Sequence, residues 1–150
     1  MPATTTPFDF QGARPVVLDT NCVLDLWVFE DPGAAPLRAA LTQGAVGWRA
    51  TPGMRDELAR VLGYPRVVPR LASTGRRAAD VLAAFDRFAA IDAPAVRAPV
   101  HCSDPDDQPF IDLAVHWRAV LFSKDASVTG LTCRLAPLGV TVLRGWPPEF

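Results

Sequence analysis

The residues predict an α/β fold, a three-layer α/β/α sandwich around a parallel sheet of about five strands. Two observations carry that expectation. Short apolar runs, such as PVVLD at 15–19, have the composition of strands buried on both faces. These runs alternate with stretches of helical periodicity whose ends are marked by capping, proline and glycine residues.

Taken in order, residues 1–14 read as a loose leader and 15–150 as one domain. Strand one is expected at 15–19, followed by helices at 21–29 and 35–42. Gly44 closes the second helix and strand two follows at 45–50. Thr51-Pro52 supplies an N-cap and an N1 proline for a helix that runs to Leu62 and stops at Gly63. A short helix at 66–72 and a clearer one at 76–90 come next, the latter with Val81, Phe85 and Phe88 on one face. The third strand has a weak signal and is placed at 95–100. A helix at 105–117, a strand at 119–123, a helix at 126–135 and a strand at 140–143 complete the chain.

The chain has 150 residues, room for one ordinary core, and 49% hydrophobic against 21% charged residues, a globular profile. No apolar run approaches the roughly 20 residues of a membrane span. Residues 1–15 lack the apolar stretch of a signal peptide, so the expected compartment is the cytoplasm. Three cysteines, Cys22, Cys102 and Cys133, lack the paired spacing of a zinc site. Net charge is −1, but it is unevenly spread. Six arginines at 55, 60, 66, 70, 76 and 77 face only Asp56 and Glu57 in that segment, whereas 101–112 holds Asp104, Asp106, Asp107 and Asp112 with no cation. A basic lobe beside an acidic cluster suits an enzyme that holds a polyanion and cuts it with a metal; solvated helix faces explain the same arginines.

Some carboxylates conflict with their surroundings. At about 100° per residue, Glu57 shares a helix face with Met54 and Val61, and Asp107 with Ile111 and Ala114, so both aim at the core. A buried carboxylate needs a cation or a metal. Asp112 lies about 140° from Asp107 and reads as solvated. Asp19 ends strand one and Asp125 follows strand four, which puts both where parallel sheets bind ligands if those strands are neighbours. Capping is the competing explanation: Asp104 as N-cap with Pro105 at N1, Asp19, Thr20 or Asn21 before the first helix, and Asp125 before the helix that follows it.

VVLDTNCVLD, the DEL of the third helix, DPDDQPFIDLA and FSKDASV, in this order and spacing, resemble the PIN domain family, most closely its bacterial branch of toxin–antitoxin toxin components. The resemblance spans about residues 15–150, including the terminal WPPEF. It implies strand order 3-2-1-4-5 and a metal site of Asp19, Glu57, Asp107 and Asp125. Asn21 matches a residue that orients the site. Ser123 stands where the family usually has threonine, and Lys124, the only lysine, where Gly or Arg is frequent. Lys124 would touch substrate phosphate or pair with a nearby acid.

Four carboxylates carry enough charge for one or two Mg²⁺ or Mn²⁺ ions, which prefer hard oxygen ligands. No histidine is placed as acid or base, so metal-activated water would cut the phosphodiester. The expected activity is that of a metal-dependent endoribonuclease on single-stranded RNA. Asp104 is expected to support the site, and Arg55, Arg60, Arg66 and Arg70 to contact substrate. An inactive PIN-fold binding module is the alternative. A haloacid-dehalogenase-type phosphatase is a weaker one, because its Asp-x-Asp motif would need an acid at Asn21. The resemblance also implies an antitoxin partner. The Trp27–Phe29 segment and the tail from Trp146 onward are candidate surfaces for it or for a homodimer, although Trp27 suits a core better.

Overall fold

The computed structural model describes residues 13–146. Five parallel strands form one sheet in the order β3-β2-β1-β4-β5. They are β1 (Arg14–Leu18), β2 (Val46–Ala50), β3 (Ala89–Ile91), β4 (Val120–Phe122) and β5 (Thr141–Leu143). In register, Val16 of β1 lies between Trp48 of β2 and Val120 of β4. Val16, Val17 and Leu18 of β1 and all of β4 are buried, as expected of central parallel strands covered by helices on both faces.

The helices are α1 (Thr20–Trp27), α2 (Ala35–Thr42), α3 (Pro52–Val61), α4 (Val68–Ser73), α5 (Ala78–Phe88), α6 (Gln108–Trp117), α7 (Ala126–Thr129) and α8 (Thr132–Leu135). α6 packs on β1 and β4, α2 on β2, and α7 and α8 on β5. Thr51 caps α3 by accepting from the Met54 amide, as its hydroxyl allows. Trp27 lies in the core. It stacks on Trp48 at 5.6 Å and on Phe88 at 6.1 Å between ring centroids, so this part of the 27–29 segment is not a free docking surface.

Three expectations are corrected. The third strand is not at 95–100 but follows α5 directly. Pro94 and Pro99 lack the N–H that a ladder needs. The buried Ala98 and Val100 are instead held by side chains: the Ala98 amide donates to Asp112, and Gln108 Nε2 donates to the Val100 carbonyl. The sixth helix starts at Gln108 rather than 105, with Asp107 at its N-cap position, and Asp104 closes a local turn by accepting from the Asp106 amide. The helix expected at 126–135 is two short ones, interrupted at Gly130-Leu131. The leader falls largely outside the described residues, as does the tail beyond Trp146.

Candidate metal centre

The chain runs from β1 outward to β2 and β3, then returns to lay β4 and β5 on the other side, so the strand order reverses between β1 and β4. Ligands of open parallel sheets bind at that point, beyond the carboxyl ends of the strands. Asp19 stands there at the end of β1. Its amide donates to the Phe122 carbonyl (3.2 Å), tying the end of β1 to β4.

Asp19 is buried, and both carboxylate oxygens are engaged. Oδ1 accepts from the Cys22 amide (2.8 Å), which caps α1, and Oδ2 accepts from the Ser123 hydroxyl (2.7 Å). Burial raises its pKa, with the Asp125 and Asp25 charges adding to the shift, against the pull of these two hydrogen bonds. Asp125 caps α7, and its Oδ1 accepts from both the amide and the hydroxyl of Ser127 (2.9 and 2.8 Å), which holds its pKa below the usual range. Asp107 Oδ2 takes a bond from the same Ser127 hydroxyl (2.9 Å). Its pKa is nonetheless pushed up to about 6, first by burial and then by the charges of Asp125, Asp104 and Asp19. A hydroxyl has one proton to give. With both acids ionised, Ser127 serves only one of them at a time.

One carboxylate oxygen from each of Asp104, Asp107 and Asp125 lies within 4.8 Å of the other two, the one group of three acidic or soft ligands among the described residues that does so. Asp19, Glu57, Asp106, Asp107 and Asp125 line a single cleft of about 250 Å³, together with Thr20, Asn21, Arg60 and Arg66. Glu57 is half-buried and is oriented by the Thr20 hydroxyl, which donates to its Oε2 (2.7 Å). The donor set is all oxygen and bears several negative charges with few nearby cations. It therefore fits a hard divalent ion such as Mg²⁺ or Mn²⁺.

A model of the PIN domain family matches residues 15–122, most of the chain. The chain belongs to the PIN domain family. No curated protein sequence matches it. The matched span takes in Asp19, Glu57, Asp104 and Asp107 but stops before Asp125, which the fold alone brings to the cleft. PIN domains are generally nucleases, so fold and acidic cluster together indicate a hydrolase acting on nucleic acid.

The arginines behave differently from a simple basic lobe. Arg55 pairs with Asp86 and does not line the cleft. Arg70 donates to the Phe29 carbonyl, Arg76 to Glu30 and the Trp27 carbonyl, and Arg77 pairs with Asp80. These side chains staple α4 and α5 to the segment after α1 or to their own helix. Arg60 and Arg66 do line the cleft, and Arg66 donates to Asn21 Oδ1 (2.9 Å). Lys124 pairs with Asp25 (3.1 Å) and Asp31 (3.5 Å).

Two residues of the PIN domain were not legible as they stand. Asp112 is half-buried, not simply solvated: its Oδ1 accepts from the Ala98 amide and from Gln108 Nε2, both at 2.8 Å. Ser127, which bridges two carboxylates, was not among the residues the sequence singled out. Its position two residues after Asp125 was the available signal.

Proposed function

We propose that this PIN domain is a Mg²⁺- or Mn²⁺-dependent endoribonuclease that hydrolyses single-stranded RNA. The observation that carries the proposal is the clustering of Asp104, Asp107 and Asp125, the last two lining one cleft with Asp19 and Glu57 at the strand-order reversal. Asp107 and Asp125, with Asp19 beside them, would hold the ion, and Glu57, which lines the same cleft, would complete the set. When bound, such an ion supplies positive charge to the phosphodiester oxygens and makes water a better nucleophile at neutral pH.

The residues divide the remaining work. Ser123 and the Cys22 amide fix both oxygens of Asp19, so its carboxylate is oriented before anything binds. Ser127 keeps Asp125 ionised and gives Asp107 a partner. Below about pH 6 Asp107 holds a proton and loses the charge that attracts a cation. Arg60 and Arg66 at the rim offer guanidinium groups to a phosphate of the strand.

Family resemblance further supports the toxin of a toxin–antitoxin pair, restrained by a small protein that delivers Arg or Lys to the carboxylates. Cleavage of single-stranded RNA in Mn²⁺, against an EDTA control, tests the enzymatic reading. Activity that survives EDTA, or its absence in either metal, defeats it. Induced expression in a bacterial host tests the toxin label. Growth arrest by the wild type and not by Asp19→Asn is the expected result, and normal growth with soluble, RNA-cleaving protein removes the label alone.

A further inference from the structure

A second cavity, also about 250 Å³, lies on the other side of Asp19. It shares Asp19, Asn21 and Asp125 with the acidic cleft, so the two meet at the carboxylates. Its character is different. Ala34, Leu37, Phe122 and Trp146 give it a largely apolar wall, and the Trp146 ring lies parallel to that of Phe122, with 6.5 Å between centroids. Its charged groups are the shared Asp19 and Asp125, then Asp25 and Asp31, both bonded to Lys124, and the exposed Arg144.

We infer that this cavity takes one unpaired nucleobase of the strand whose phosphodiester lies at the acidic cleft. The inference rests on the nuclease reading above and adds a subsite to it. An aromatic and aliphatic wall accepts the faces of a planar ring through stacking and burial. Asp25 and Asp31 supply acceptors for ring-edge N–H groups, and Lys124 supplies a donor for ring carbonyls or for the adjoining phosphate. The space is wide enough for a single planar base. A paired base within a duplex reaches such a pocket only by leaving its stack and its partner, which is unfavourable. The cavity therefore selects for single-stranded substrate, and it places the neighbouring phosphate beside Asp19 and Asp125.

The test uses a short single-stranded RNA bearing one 2-aminopurine, titrated into the full chain with Ca²⁺ present, the fluorescence of the base being the readout. Quenching by the wild type is expected, with none for the same strand in a duplex. Trp146→Ala and Ala34→Trp, which fills the cavity from the turn before α2, should each raise Kd about tenfold or more, and Trp146→Phe should restore most of the affinity. Thermal melts of the variants show that they are folded, and Ala34→Trp keeps the test valid if Trp146→Ala does not fold. Unchanged affinity in Ala34→Trp, or equal binding of a strand with an abasic site in place of the 2-aminopurine, overturns the inference. Cleavage by the same samples in Mn²⁺ separates the two readings. Normal cleavage with no base-dependent binding leaves the nuclease and removes the subsite, whereas base-dependent binding with no cleavage does the reverse.

Discussion

Replacing Asp107 by Asn should stabilise the metal-free protein, by an amount that grows as pH rises from about 4 through about 6. In the metal-free fold burial and three neighbouring carboxylates lift the Asp107 pKa from 3.8 to about 6. A raised carboxylate pKa means that the neutral form fits the folded state better than the charged one. Stability from this group is therefore complete below the unfolded pKa near 3.8 and is lost as pH rises through about 6. The difference corresponds to about 3 kcal/mol at pH 8, about half of that at pH 5 and about 0.5 kcal/mol at pH 4. Solvent screening at this half-buried group reduces the first figure to about 1–3 kcal/mol. An asparagine keeps the volume and an acceptor for Ser127 but carries no charge. Thermal unfolding in EDTA should then show Asp107→Asn melting roughly 3–10 °C above wild type at pH 8, with the gap closing towards pH 4. An equal shift at both pH values, or a variant less stable than wild type at pH 8, refutes the electrostatic account of the cleft.

Divalent ions should act in the opposite sense. Mg²⁺ or Mn²⁺ should raise the wild-type melting temperature more at pH 8 than at pH 5, because protons compete for Asp107, and should leave Asp107→Asn nearly unmoved; a pH-independent shift contradicts this. Ser127→Ala removes the hydroxyl shared by Asp107 and Asp125, and calorimetric titration should find metal affinity weakened roughly 10–100-fold. Asp112→Ala should cost about 1–3 kcal/mol in urea unfolding, because it strips the acceptor from the Ala98 amide and Gln108, while metal binding persists. Arg49→Ala should be severe, about 3–5 kcal/mol by the same assay, since it leaves Asp92 without its buried ion pair and Trp117 without the guanidinium 4.0 Å from its ring.

The extent to which the residues alone foretold this fold varies by element for physical reasons. β1 and β4 were legible because a strand covered on both faces must be apolar throughout, and the strand-end acids follow from where such sheets leave room. β3 was not. Its three residues continue out of α5 with no turn signal between them, and in the 95–100 segment only Ala98 and Val100 are buried, tied to α6 rather than to a ladder, while Val96 is exposed. Helical phase placed Glu57 and Asp107 facing inward, and both line the cleft. The same phase placed Asp112 in solvent, because it knew nothing of the returning chain at Ala98 and Val100. The arginines were misleading for the same reason. Net charge along a segment does not reveal that Arg70 and Arg76 reach back to carbonyls just after and at the end of α1, or that Asp86 takes Arg55. Contacts between residues 14 to 49 positions apart decide these cases, and periodicity carries no information about them.

The account stands or falls on whether the carboxylates at the β1–β4 reversal bind a divalent cation. Crystals of the wild-type chain soaked in MnCl₂, with diffraction collected at a wavelength where manganese scatters anomalously, answer this directly. The account predicts an anomalous peak at about 2.1 Å from carboxylate oxygens of Asp107 and Asp125, with Asp19 beside it, and no such peak in Asp107→Asn crystals. Manganese bound elsewhere on the molecule, with those carboxylates bare at saturating metal, would contradict it.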